Sequence, residues 1–488
     1  MHFKPVVTLA LVKVIGFCLM TTLAAPLSVQ ADEFNLPSLG DTSSSIMSRE
    51  QEYQLGRAWV AMLRGSVATM DDPLLKDFVE RHVFSLAETS QLTDRRLTFV
   101  LIESPQLNAF AAPGGVVGVN GGLFLNAHTE AEFASVMAHE LAHLSQRHFS
   151  RGLEQQQRMR IPVMTAMLAS VILAAAGGGD AGIAAMASTQ AAAIQEQRRF
   201  SRQNEQEADR IGLLNLNQAG YDPTAMPDMF ERLARLSRFS RTPPEFLLTH
   251  PVNQSRIADS RNRAEQLPGN GRRDSVEYQM MRGRVQLHHE RNPGLAVQRF
   301  RVLLDEHQGD HAAARYGLVL ALTRSAQHAE AAKELEPLLA DYADNVAVNL
   351  AAIELDAQRN RPDQAMQRVD RMLQLNPGNY PLLQARADLL LRAERYQEAE
   401  RAIDALASQR SNDPDIWYLA AEIRGLAGNI LGVHLARAEY FMLAGDLEQA
   451  GEQLELASRR AGDNYVMTAR IEARQKDLAI QRETLKSF

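Results

Sequence analysis

The sequence predicts a mostly helical α+β protein, in which a helical region encloses one small β-sheet and an all-α array of repeated helices follows. Three observations carry this prediction. Between residues 95 and 122, "RRLTFVLIES", "LNAFAA" and "GGVVGVNGG" are short β-branched or aromatic runs punctuated by prolines and paired glycines, as strands are. Residues on both sides mix apolar and polar positions at helical spacing. Beyond about residue 275, Ala331, Ala365 and Ala399 recur at a step of 34. The 488-residue chain has room for two or three domains, and its 45% apolar and 23% charged residues are the balance of a globular protein with real cores. A net charge of −7 gives no electrostatic case for nucleic acid.

Taken in order, residues 1–31 read as a secretory signal peptide. Lys4 and Lys13 precede an uncharged run from Val14 to Ala31, and "VQA" sets small residues where a cut after Ala31 requires them. A retained membrane anchor is the competing reading, against which the run is short of the roughly 20 residues a span needs. The single cysteine, Cys18, lies inside this segment, so the exported chain would hold no disulfide. A bacterial periplasm or a similar space fits that combination.

Residues 47–92 read as helices broken at Asp72-Pro73, the sheet follows, and a second helical cluster runs from Thr129 to about Arg238. Within it, residues 161–194 carry one charge, Asp180, in two apolar runs. They are expected to form a helical hairpin that is buried or lies against a membrane or a partner; a true span is the alternative. A loop, "RTPPEFLLTHP", leads out. In the C-terminal part the alanines follow acidic or amide residues in "HAEAAKEL", "PDQAMQRV" and "YQEAERAI". The segment resembles the tetratricopeptide repeat, whose period is the same. Ala438 and Ala450 continue the pattern out of phase, so "DIWYLAAEIRGLAG" is expected as an extra helix interrupting the stack. Such arrays form curved surfaces that hold other proteins. The expected domains are 32–268 and 269–488.

Chemistry concentrates at "HELAH". Thr129 and Glu132 form a capping-box pattern, so a helix should begin near Glu130 and run through the apolar "FASVMA". His139 and His143 then share one face and can bind one zinc ion, while Glu140 can take a proton from a water that the metal activates. His148 would point to a different face of that helix and is read as structural. A catalytic zinc needs a third protein ligand and an open position. In "SRQNEQEADRIG" the residues Glu205, Glu207 and Asp209 are all chemically competent.

At this point HELAH with "NEQEADRIG" about sixty residues on resembles the zinc metallopeptidase family that includes the CAAX prenyl proteases and the heat-inducible bacterial membrane proteases. The resemblance covers roughly residues 45–265. It implies Glu205 as third ligand, with Asp209 accepting a hydrogen bond from a ligand histidine. "LNAFAAPGGVVGVNGGL" matches an edge strand that, in the family, lies beside the active site and could pair with a substrate's extended backbone. "LLTHPVNQSRIADS" places His250 and Arg256 in the family's "hP…R" position. His250 would stabilise the oxyanion, or occupy the open zinc position and silence the enzyme. Arg256 would assist the oxyanion or a substrate carboxylate, or make a plain ion pair.

A leader, this core and a repeat array together resemble periplasmic members of the family. That implies a zinc endopeptidase with chaperone-like action in the assembly and quality control of outer-membrane β-barrel proteins. Its partners would be unfolded or misassembled outer-membrane proteins and their assembly machinery, held through the repeats, with peripheral membrane contact. The alternative from another class is a non-proteolytic holdase or assembly adapter whose zinc site is vestigial or structural.

Overall fold

A computed structural model describes residues 47–175, 179–239, 243–305 and 310–486. The expected signal peptide lies outside the described residues. The described residues belong to one compact unit.

Helix α1 (Arg49–Ser66) opens on a capping box between Ser48 and Gln51, and α2 (Pro73–Thr89) opens where Asp72 accepts hydrogen bonds from the amides of Leu74 and Leu75. Proline at the first helical position costs nothing there, because its missing N–H would have had no partner. The sheet comprises β1 (Thr98–Ile102), β2 (Ala109–Ala112) and β3 (Val116–Asn120) in the order β1-β3-β2. β3 is central, parallel to β1 and antiparallel to β2. Gly114 and Gly115, at φ of +74° and +76°, make the tight turn between β2 and β3. Phe110 pairs with Gly118 across the ladder, and its ring lies over the place where a Cβ would stand.

The "GG" after β3 does not continue the strand as the sequence reading had it. It starts helix α3 (Gly121–Asn126), in which the Gln106 carbonyl approaches Gly122 too closely for a side chain. Next come α4 (Glu130–Ser145), the long pair α5 (His148–Ala175) and α6 (Gly179–Gln218), α7 (Ala225–Phe239), short α8 (Glu245–Thr249) and α9 (Gln254–Ala264). Helices α5 and α6 pack on each other. Among the described residues no helix is long and apolar enough to cross a membrane.

The array follows as α10 (Val276–His289), α11 (Pro293–Asp305), α12 (His311–Arg324), α13 (His328–Asp341), α14 (Val346–Gln358) and α15 (Pro362–Leu375). It continues as α16 (Tyr380–Arg392), α17 (Tyr396–Gln409), α18 (Pro414–Leu426), α19 (Ile430–Ala444), α20 (Leu447–Ala461) and α21 (Tyr465–Lys486). The repeated alanines Ala331, Ala365, Ala399 and Ala450 are each fully buried, where only a methyl fits between neighbouring helices. The helix formed by "DIWYLAAEIRGLAG", α18, does not interrupt the stack. Left-handed residues close the first helix of each pair at Ala326, Asn360 and Glu394, and Gly428 keeps the same step after α18. What slips is the alanine pattern: Ala438 and Ala450 lie on the second helix of one pair and the first of the next.

No gap in packing falls at residue 268. One hydrophobic core includes Phe78, Phe133 and Met137 together with Tyr278, Phe300, Tyr316 and Leu355. The connecting segment is tied down as well, since the amide of Ala131 donates to the Arg273 carbonyl and that of Glu130 to Asp274. Farther along, Arg410 pairs with Glu80 at 2.6 Å and Lys76 with Asp413 and Asp415, joining α2 to the start of α18 and the loop before it.

Candidate metal centre

Helix α4 carries the HELAH sequence through the core. Thr129 accepts from the Glu132 amide, as expected, but Glu132 reaches back one residue further than a capping box would and accepts from the His128 amide. Every residue from Glu130 to Ala142 is buried, which fixes the rotation of the helix. Helix α6 lies close beside it because Gly212 has no side chain: a Cβ there would stand 3.1 Å from the Ala138 carbonyl. That approach brings Glu205 and Asp209 to the histidines. The C-cap of α8 supplies His250, and α9, capped by Asn253, supplies Arg256.

Ligand atoms of His139, His143, Glu205 and His250 all lie within 4.8 Å of one another. The Nε2 atoms of His139 and His143 are 3.1 Å apart, and the Glu205 oxygens are 3.5 and 3.4 Å from them. His250 Nδ1 is 3.1 Å from Glu205 Oε1 and 3.4 Å from His139 Nε2. Three ring nitrogens and a carboxylate converging on one point suit a cation, since their lone pairs would otherwise face one another. The donor set fits a small divalent metal ion of the nitrogen-and-oxygen type.

Glu140 stands beside this cluster and is 2% exposed. Its Oε2 accepts the Ala111 amide of β2 at 2.9 Å, and its Oε1 is 3.6 Å from His250 Nε2. The expected edge strand is therefore where predicted, with one backbone donor already engaged by the glutamate. Burial raises the Glu140 carboxyl above the usual carboxylate range, against the opposing charges of His250 and His139. A base so placed takes up a proton readily.

Burial alone would drive His139 down, but the Asp209 and Glu205 carboxylates more than offset it and hold the ring at about 9. His143 goes the other way, well below the usual histidine range, through burial and then the charge on His139. Asp209 Oδ1 is 3.1 Å from His139 Nδ1, the nitrogen facing away from the cluster. Arg256, itself 4% exposed, donates from Nε and Nη2 to Asp209 at 2.7 Å. Its Nη1 donates to the Pro251 carbonyl and lies 3.0 Å from Glu205. All three guanidinium nitrogens are thus committed inside the protein. Of the readings the sequence left open for Arg256, the geometry matches the ion pair.

His148 was read as pointing away, and the structure corrects this. Helix α4 ends at Ser145, Arg147 adopts φ of +50°, and His148 begins α5 rather than continuing α4. The turn swings its ring back so that Nδ1 meets His143 Nδ1 at 2.8 Å, while Nε2 meets Glu207 Oε2 at 3.1 Å. Arg151 holds Glu207 at 2.8 Å. Each of the two helix histidines therefore has its outer nitrogen held, His139 through Asp209 and Arg256, His143 through His148, Glu207 and Arg151. Such outer partners fix tautomer and orientation. The expected result for His148→Phe is metal affinity about 10- to 100-fold weaker, read by chelator competition, with an unchanged far-ultraviolet circular dichroism spectrum.

Comparison with known proteins places this geometry. The pattern of Peptidase family M48 matches residues 73–264, and a tetratricopeptide repeat pattern matches residues 356–423. The chain is 35% identical over 459 residues to the "Beta-barrel assembly-enhancing protease" of Escherichia coli, covering 93% of each chain. It is 33% identical over 492 residues to the "Putative beta-barrel assembly-enhancing protease" of Vibrio cholerae, covering 100% of each. The "Mitochondrial metalloendopeptidase OMA1" of Arabidopsis thaliana is 29% identical over 187 residues, 38% of this chain and 36% of that one.

Proposed function

The chain belongs to peptidase family M48 and is a metalloprotease, and from that premise we propose that it is a zinc endopeptidase of the periplasm, acting in the assembly and quality control of outer-membrane β-barrel proteins. The observation that carries the peptidase reading is the glutamate base beside a convergent four-donor cluster. A structural metal site has no use for Glu140, which is why a purely adaptor-like protein is the weaker reading. The outer-membrane role rests on the relatives of nearly equal length.

In this reading His139, His143 and Glu205 hold one zinc ion per chain. Bound there, zinc supplies Lewis-acid polarisation of the scissile carbonyl and lowers the pKa of a water. Glu140, oriented by the Ala111 amide, would take a proton from the attacking water and pass it to the leaving amine. Asp209 holds the His139 ring by its outer nitrogen, and Arg256 holds Asp209. His250 has two stations. With Nδ1 on Glu205 and Nε2 toward Glu140, it would occupy the position a substrate carbonyl needs and close the site. Swung aside, the same ring can face the oxyanion.

A leader cut after Ala31 would deliver the chain to the periplasm, leaving residues 32–268 as the peptidase domain and 269–488 as the repeat domain that holds clients and assembly partners. The 161–194 hairpin is the proposed contact with a membrane or partner. Incubation with an unfolded outer-membrane β-barrel protein should give fragments that vanish on treatment with a zinc chelator and return on addition of zinc. Cleavage that survives thorough chelation would refute the metallopeptidase assignment. His250→Ala should raise basal cleavage several-fold if the closed station dominates; unchanged activity removes the gating role.

A further inference from the structure

The end of the repeat array returns to the first helix of the chain, where α1 packs against α19 and α21. The approach to α19 is backbone to backbone. A Cβ on Gly445, which closes α19 at φ of +81°, would stand 2.7 Å from the Ala61 carbonyl, and one on Gly65 would stand 3.0 Å from the Ala444 carbonyl. At 3.6 residues per turn, positions 61 and 65 share one face of α1, and positions 52, 56 and 59 lie on the reverse.

That reverse face rests on the elements beside the metal centre. A Cβ on Gly56 would meet the Pro113 carbonyl at 2.3 Å, and one on Gly114 would meet the Glu52 carbonyl at 2.4 Å, so α1 and the β2–β3 turn are again in backbone contact. One turn along, the Trp59 and Phe110 rings meet edge to face with centroids 5.5 Å apart. Phe110 lies over Gly118 and immediately precedes Ala111, whose amide donates to Glu140 Oε2. On its other flank the same face offers Glu52, which accepts from Arg147 at 3.0 Å and from Ser150. Arg147 makes the turn that brings His148 to His143. Backbone-to-backbone contacts have no flexible side chain to absorb a shift, and close-packed interiors transmit strain.

We propose that α1 is a strut through which the last repeats set the catalytic base, with Trp59 as the positioning residue that acts through Phe110 and the Ala111 amide on Glu140. The inference rests on the peptidase reading and adds regulation of its site by the repeat array. A polypeptide that displaces α19 moves α1, and β2 follows through the paired rings, so binding at the end of the array bears on the glutamate beside the metal cluster.

The full mature chain, loaded with zinc and given a short unstructured peptide to cut, tests the positioning role. Trp59→Ala is expected to lower kcat about tenfold, and Trp59→Phe, which keeps an aromatic edge against Phe110, to recover most of that loss. In the Glu140→Gln background the same Trp59→Ala change should cost less than about twofold, because a residue that acts only through the base has nothing left to act on. An equal loss in both backgrounds would make Trp59 merely structural and overturn the proposal, as would an unchanged kcat in Trp59→Ala. Hydrogen exchange read by mass spectrometry tests the array side without catalysis. Gly65→Val, at an exposed position facing the Ala444 carbonyl, should speed exchange of the Ala111 amide by about tenfold and leave the β1 amides as in the parent. Faster exchange throughout the sheet, or none at Ala111, overturns the strut. A zinc-loaded parent that cuts nothing defeats the peptidase reading instead, and the exchange experiment still decides whether the array reaches β2.

Discussion

Glu140→Gln is expected to lower the cleavage rate by about 10²- to 10⁴-fold while zinc stays bound in full. The amide keeps the size of the carboxylate and still offers an oxygen to the Ala111 amide, so the strand-to-helix contact survives. What is lost is proton transfer alone. His139, His143 and Glu205 remain, and the bound zinc should be one per chain by elemental analysis. The stability effect has the opposite sign to that of a salt-bridged carboxylate. Burial raises the Glu140 carboxyl, so in the metal-free protein its folded state binds a proton more readily than its unfolded state does. Ionising it therefore costs stability as pH rises through the unfolded value, and the neutral glutamine avoids that cost. Thermal melts of the metal-free proteins at pH 8 should place the variant no lower than the parent. Wild-type turnover in a zinc-loaded Glu140→Gln protein would defeat the role of Glu140 as base.

Much of this site was legible before any coordinates, for a physical reason. A helix that is apolar on most faces and capped by Thr129 must be buried, so polar residues at one spacing on it have to be there for a purpose. Two histidines four apart then define a metal face, and the second acidic pair can reach it only from another helix. The close approach through Gly212 could not be read, because a glycine in "ADRIG" carries no pattern that distinguishes packing from flexibility. His148 was missed for a sharper reason. Helical periodicity extends two residues past the point where the backbone leaves the helix at Gln146, and a left-handed arginine gives no sequence signal. Glu207, left open beside Glu205 and Asp209 in the sequence, meets His148 instead of the cluster. In the repeats, counting alanines misjudged the phase near residue 430, whereas the turn residues keep it. Side-chain identity at a packing contact can drift between repeats, but the geometry that joins two helices cannot.

Arg256→Ala is expected to destabilise the protein by about 3–5 kcal/mol, because it leaves buried carboxylates without their cation. Asp209 is 4% exposed and Glu205 6% exposed, and the one guanidinium reaches both. Burial pushes Asp209 up, but Arg256 and then His139 more than offset it and hold its carboxyl below the usual range. A depressed carboxylate contributes stability that is fully present above its unfolded value, near 4, and is lost as pH falls through the lower folded value. The penalty of Arg256→Ala should therefore be largest at neutral pH and shrink below about pH 4. Urea unfolding at pH 7 and at acid pH checks this directly, and a pH-independent penalty would mean that Arg256 acts by packing alone. Zinc separates the two carboxylates. A metal ion at the cluster neutralises Glu205 without help from the arginine, whereas Asp209 stands behind His139 and gains only through that ring. Saturating zinc should then restore part of the lost stability of Arg256→Ala but not the whole. Arg256→Lys, which keeps the charge and loses the two-point grip on Asp209, should fall between the two. If zinc restored stability completely, the arginine would serve Glu205 alone, and the chain from Arg256 through Asp209 to His139 would carry no weight in holding the metal ligand.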